Sequence, residues 1–366
     1  MVRSRVAPLI VFALCSLTVG CKFWQTPAAS KTPAPAGTPK LAFVANFNSG
    51  ANGSVRGYLV DGSNGSLSST GAALIKQDAP TTIAAHPNGK FVYVANQNGN
   101  ISVNSVDREE GALEFVASTS FADGHMPSWL GVTPDGKFLY ALMTDARKIH
   151  AYSINSSTGS LTPLSSLALD GAPARAAIAA SGHAMYVALG AVGIQILNIG
   201  DDGNVSTFKT ISPSPCSEIT AIVLDKKARW VFAANGAGGG VCNYTVNPST
   251  GDLTLISSTL NQGGAGADAI AINPSATVLL TANSLSNNVT AYVVAASGIL
   301  SPLTGSPLAA GQAPSDVVVD ALGTYVYVVN SMENTISLFK IKSDKTLQWG
   351  GNWTTEHNPQ AITVIP

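Results

Sequence analysis

Residues 92–106 read VYVANQNGNISVNSV, and the phrase returns as LLTANSLSNNVTAYVV at 279–294 and VYVVNSMENTISLFKI at 326–341. Each copy has an apolar run ending in Asn, a short polar turn, and a second alternating run. β-branched and aromatic residues fill both runs, so each copy reads as two strands joined by a tight turn. Aligning the large residue of the phrase gives Phe43, Tyr93, Tyr140, Tyr186, Phe232, Leu280 and Tyr327, at intervals of 46–50 residues. A second column follows in the next strand: Tyr58, Asn104, Tyr152, Leu197, Tyr244, Tyr292 and Phe339. A third precedes each phrase: Pro80, Pro127, Pro173, Ile219, Ala267 and Pro314, with Pro359 heading a last fragment.

Each copy divides into four short strands. In the second they run TTIAAH, FVYVAN, NISVNSV and LEFVAS. The turn HPNGK at 86–90 and the turn TPDGK at 133–137 carry the Asn-Gly and Asp-Gly pairs that tight hairpins need. SSTGSL at 156–161 and PSTGDL at 248–253 place Gly at the next turn. Four antiparallel strands, repeated seven times at this period, predict an all-β chain folded as a seven-bladed β-propeller. A lone blade cannot bury both faces, and a ring of blades can. The first copy, LAFVANF at 41–47, begins at a second strand, and QAITVIP at 360–366 matches a first strand. The C-terminal strand is therefore expected to complete the first blade and close the ring.

The chain has 366 residues, 11% of them charged, and a formal net charge of -1. No basic stripe stands out, which argues against nucleic acid as a partner. Arg3 and Arg5 precede an apolar run, VAPLIVFALCSLTV at 6–19, of signal-peptide length and short for a membrane span. LTVGC then ends at Cys21 and resembles a bacterial lipobox, so residues 1–21 are expected to be a lipoprotein signal with Cys21 lipidated. An ordinary secretory peptide cut nearby is the alternative. Residues 22–39 are rich in Pro, Ala and Thr and read as a tether, leaving residues 40–366 as the propeller. Such a chain would sit in the cell envelope, attached to a membrane through its lipid. Cys216 and Cys242 remain as an even pair in an oxidising compartment, expected to form a structural disulfide.

The repeat also sorts candidate functional residues. Asn46, Asn96, Asn235, Asn283 and Asn330 close the second strand of five copies, either to bind a ligand or to satisfy turn backbone. Just after the Pro column lie Thr82, Trp129, Arg175, Ala221, Ala269, Asp316 and Ala361. Most are small, so Trp129, Arg175 and Asp316, with His125, Asp268 and Glu218 beside the column, could form a cup at the channel mouth for an anion or a sugar-like ring. The competing reading is a mouth salt bridge between Arg175 and Asp316, with Trp129 packed between blades. GAGGG at 236–240 and GGAGA at 263–267 lack the Lys-Ser/Thr ending of a phosphate loop and read as rim loops.

The phrases PNGKFVYVANQNGNISV, STGSLTPLSSLALDGAP and GILSPLTGSPLAAGQAPSDVVVDALGTYVYVVNSMENTISLFKI resemble the lactonase-type seven-bladed propellers, with YVTN-repeat propellers a close second. That family includes propeller-type 6-phosphogluconolactonases and muconate-lactonising enzymes. The resemblance covers residues 40–366. It implies site residues where GHMPSW at 124–129 stands in place of a His-Pro-His motif, so His125 corresponds. It likewise points to Asp145 and Arg147 in LMTDARKI at 142–149, and to Arg175, although Ala176 replaces an expected His. An expected Glu is missing from ALGAVG at 188–193. The catalytic set expected from this is Arg175, His125 and Asp145, with Trp129, Arg147, Asp268 and Asp316 binding ligand. No metal and no cofactor is expected. The depleted site favours an envelope platform that binds a carbohydrate, lactone or protein, with lactone hydrolysis at the channel mouth as the alternative.

Overall fold

The computed structural model describes residues 40–48, 53–72, 75–121, 123–124 and 126–365. Among these residues there is no helix, and the strands form seven antiparallel sheets. We number the blades by their innermost strands: Pro359–Ile365 (blade I), Pro80–Ala85 (II), Pro127–Val132 (III), Ala176–Ile178 (IV), Ile219–Leu224 (V), Ala267–Ile272 (VI) and Pro314–Val319 (VII). In blades II to VII the chain moves outward strand by strand, as in blade III through Phe138–Met143, Lys148–Ile154 and Leu161–Ala168. Each innermost strand contacts that of the next blade, and blade VII contacts blade I, so the ring is closed.

Closure uses the last strand. Pro359–Ile365 pairs with Lys40–Asn46, with Leu41 opposite Ile365 and Val44 opposite Ile362. Blade I thus takes its inner strand from the C-terminus and its other strands from the start of the propeller, as the overlap of partial copies predicted.

Each interface between neighbouring blades carries its own apolar cluster, so the core is distributed round the ring. The second strand of each blade is covered on both faces by neighbouring blades. Phe91–Asn96, Trp230–Asn235, Val278–Asn283 and Tyr325–Asn330 are buried at every residue. That explains their continuous apolar character, in contrast to the outermost strands, where exposed residues dominate.

The repeated tyrosine has a specific partner. Tyr93 Oη donates to the Gly159 carbonyl at 3.1 Å, and Tyr140, Tyr186 and Tyr327 donate to Gly203, Gly251 and Gly65, each at 2.8 Å. Each acceptor lies in the outer hairpin turn of the next blade, so these bonds stitch blade to blade. Each is worth about 1 kcal/mol when made, and more is lost if a buried carbonyl is stranded. The ring two residues earlier in the strand lies on the same glycine. A methyl added to Gly159 would sit 2.6 Å from the Phe91 ring, and one on Gly203 would sit 2.3 Å from Phe138. These glycines also have positive φ, 74° and 81°, so both conformation and space require glycine.

Burial raises Tyr58, Tyr152, Tyr186 and Tyr244 to about 12, against an ordinary value of 10.0. An unfolded chain ionises its tyrosines near pH 10, so between about pH 10 and 12 it releases protons that the folded chain keeps. Stability should therefore fall as pH rises through that window. Thermal melts across it should show a declining midpoint, with most tyrosinate absorbance appearing only on unfolding.

Candidate functional site at the channel mouth

The innermost strands begin at the face that carries the loops entering each blade and the turns between second and third strands. At this end the pairing of first and second strands slips by one residue in six blades. The extra residues are Thr81, Ser128, Thr220, Asp268, Ser315 and Gln360. A bulge of this kind turns its side chain away from the regular alternation. Four are hydroxyl residues, and each donates to the carbonyl of the next blade's Pro-column position: Thr81 to Pro127 at 2.8 Å, Ser128 to Pro173 at 3.2 Å, Thr220 to Ala267, and Ser315 to Pro359 at 3.3 Å. This ring of latches has no signal in strand periodicity. It becomes visible only when the position after the Pro column is read down all copies.

Asp268 and Gln360 occupy the same bulge without the latch. The Gln360 amide donates to Asn358 Oδ1 at 2.6 Å. The half-buried Asp268 carboxylate makes no hydrogen bond or ion pair with the described residues.

Arg175 and Asp316 meet. Arg175 immediately precedes the inner strand of blade IV, and Asp316 lies on that of blade VII, three blades round the ring. Arg175 Nη1 stands 3.2 Å from Asp316 Oδ1, and Nη2 donates to the Ser315 carbonyl at 2.8 Å. The pair therefore bridges the channel between non-adjacent blades. Asp316 Oδ2 also accepts the Ile362 amide at 3.0 Å, on the closing strand. Burial pushes the Asp316 carboxyl above the ordinary carboxylate range, against the opposing pull of the guanidinium and of the Ile362 and Val317 amides. The bridging arrangement is the salt-bridge reading set out from the sequence.

Trp129 is half-buried. It packs with the cluster between blades III and IV, and its ring covers Gly131, where an added methyl would lie 2.1 Å from the ring. Arg147 sits at φ 50° in the turn after the second strand of blade III, in the position that Asn287 and Asn334 hold in blades VI and VII at φ 53° and 59°. Its carbonyl accepts the Leu169 amide at 2.8 Å. Asp145, in the same turn, accepts the amides of Met126 at 3.3 Å and Ala146 at 2.9 Å. His125 and Cys21 lie outside the described residues.

The Asn column is buried and works within its own blades. Asn235 Oδ1 accepts the amides of Ser217 and Glu218, each at 3.1 Å, and Asn330 Nδ2 donates to Thr335 at 3.0 Å and Ser337 at 2.9 Å. A third-strand column anchors the loop entering five of the blades, each by different chemistry. Arg56 pairs with Glu356, and Ser102 donates to Gln77. His150 lies 3.0 Å from Asp123, Gln195 accepts the Asp170 amide, and in blade V Cys242 is joined to Cys216 by a disulfide with Cα atoms 6.2 Å apart. By chain entropy that crosslink contributes about 3–4 kcal/mol. The two glycine runs pack backbone on backbone, since a methyl on Gly239 would sit 2.3 Å from the Gly264 carbonyl.

The family model for "Lactonase, 7-bladed beta-propeller" matches residues 38–122 and 97–366. The chain belongs to this lactonase family of seven-bladed propellers. A Bacteroides fragilis structure provisionally assigned as a 6-phosphogluconolactonase superposes with a TM-score of 0.80 at 18% identity, covering 92% of this chain and 100% of its own. A periplasmic gluconolactonase of Pseudomonas aeruginosa gives 0.79 at 15% identity, covering 90% and 99%. A Lactobacillus plantarum protein gives 0.78 at 16%, covering 90% and 99%. No curated protein matches the chain.

Replacing Asp316 by Ala would strand the guanidinium and the buried Ile362 amide together. We expect a loss of about 2 kcal/mol, discounted because Arg175 keeps partial solvent access. Urea denaturation of the variant beside the parent measures it.

Proposed function

We propose that this chain opens a neutral sugar lactone at the mouth of its central channel. The observation that carries the reading is Arg175, a cation fixed across the mouth by Asp316 and the Ser315 carbonyl. A guanidinium held in this way needs no reorganisation to stabilise charge that develops on a carbonyl oxygen. Asp268, unpaired on its bulge, is the carboxylate assigned to take a proton from the attacking water. Water adds to the lactone carbonyl, the bond to the ring oxygen breaks, that oxygen takes up the proton, and a hydroxy acid leaves. Membership of the lactonase family supports this reaction class.

The charge balance bears on the substrate. In the two mouth columns, Arg175 is the sole cation beside the carboxylates of Asp268 and Asp316. A phosphorylated lactone would meet repulsion there with little to offset it, so an unphosphorylated substrate fits better. The periplasmic gluconolactonase among the structural relatives is consistent with that choice.

Purified protein should be assayed against glucono-δ-lactone, galactono-γ-lactone and a 6-phosphorylated gluconolactone, with spontaneous hydrolysis subtracted. We expect turnover of the neutral lactones, falling about 100-fold or more in Arg175→Met and Asp268→Asn. A folded protein with no turnover on any of them would sink the reaction. Saturable sugar binding in that case would support a binding platform at the same mouth.

We further assign the chain to the cell envelope, held by a lipid on Cys21, from the apolar run at 6–19 and LTVGC. Among the described residues, no helix is long and apolar enough to cross a membrane. Cells fed radiolabelled palmitate should label the parent and leave Cys21→Ser unlabelled. Equal labelling of both would remove the anchor.

A further inference from the structure

Two residues before the large residue of each second strand stand Leu41, Phe91, Phe138, Ala184, Trp230, Val278 and Tyr325. Four are aromatic, and each ring packs against the turn glycine of the next blade. A methyl added to that glycine would come within 2.3–2.6 Å of Phe91, Phe138, Trp230 or Tyr325. Blade IV breaks the pattern with Ala184, the smallest residue of the column. At its partner, Gly251 of blade V, the nearest atoms to such a methyl are Tyr186 Oη at 3.4 Å and Ala184 Cβ at 3.8 Å. The ring is missing while the glycine that would receive it remains, with φ 74°.

A cleft of about 340 Å³ lies there, lined by Ala184, Tyr186, His183, Lys227, Pro248 and Gly251, among others. It opens between blades IV and V on the face opposite the channel mouth, where first-to-second and third-to-fourth strand turns gather. The floor is rigid, since Tyr186 is fully buried and donates to the Gly251 carbonyl. Lys227 supplies a cation at the rim. Lys227 is exposed and takes part in none of the ion pairs among the described residues. His183 stands 3.8 Å from Asp201, and both side chains are largely exposed, 63% and 98%.

We infer that this cleft is a binding site for a small aromatic carboxylate, independent of the channel mouth. The ligand ring takes the slot that an aromatic side chain fills in four other blades, between Gly251 and Pro248, and its carboxylate faces Lys227. The volume falls within the range of small-molecule pockets, at its lower end. The shape is that of a flat ring, because the same glycine turn accepts flat rings elsewhere in this chain.

The test uses the full-length protein with benzoate as probe, followed by ligand-observed NMR, alongside the parent's melting temperature. Benzoate should bind saturably with a low-millimolar dissociation constant. Ala184→Phe rebuilds the ring from within, so it should abolish benzoate binding and raise the melting temperature by about 2 °C or more. Lys227→Gln should weaken benzoate about three-fold or more without changing the melting temperature. Arg175→Met should leave benzoate binding unchanged. Absence of saturation up to about 20 mM benzoate would overturn the site. So would undiminished binding by Ala184→Phe, or a lower melting temperature for that variant.

Discussion

Each blade of this propeller is stable only against its neighbours, so the ring must close. The second strand of every blade is sandwiched between two blades, and its apolar surface has no other place to go. Burial supplies the drive but not the register. The register comes from polar contacts that repeat with the blades: tyrosine hydroxyls on turn carbonyls towards one face, and bulge hydroxyls on proline-column carbonyls at the other. Both kinds run from one blade to the next in chain order. The last link depends on Pro359–Ile365, which brings the two ends of the propeller into one sheet.

The channel mouth inherits its geometry from this closure. Asp316 joins Arg175 of blade IV to the Ile362 amide of the closing strand, so the fixed cation at the mouth and the seam of the ring share one carboxylate. A channel between seven strands has many lining positions, and most here are small or engaged in latches. Departures from the repeat therefore stand out. Asp268 sits where a hydroxyl is usual, Arg175 where small residues are usual, and Ala184 where rings are usual. In a repeat protein, a residue that breaks its column is released from the duty its equivalents perform. The same logic that locates the mouth locates the cleft between blades IV and V.

The entering loops show how one structural demand admits many chemistries. A single third-strand position ties down the incoming loop by an Arg–Glu ion pair, a Ser–Gln bond, a His–Asp contact, a glutamine to a backbone amide, and a disulfide. Read as separate residues, Cys242 and His150 invite functional explanations. Read as one column, they are equivalent anchors. Burial lowers the His150 pKa, against the pull of Asp123, which favours a neutral imidazole suited to a structural contact.

By itself, the sequence determined the architecture, because a propeller's fold is carried by short-range periodicities. Strand alternation, Asn-Gly and Asp-Gly turns, the interval of 46–50 residues and the two partial copies at the ends suffice to count the blades and to say which strand closes them. Arg175 and Asp316 were legible as exceptions in a column of small residues. Their pairing was legible only as one of two alternatives, since residues 141 positions apart meet by the curvature of the ring. Tertiary structure alone decided which polar residues are spent on scaffolding. The latch role of Thr81, Ser128, Thr220 and Ser315, the packing of Trp129 between blades III and IV, and the slot left by Ala184 all depend on the facing blade. The physical reason is that local pattern encodes which residues face a neighbour, while the partner each one finds is set by how successive blades are rotated and stacked.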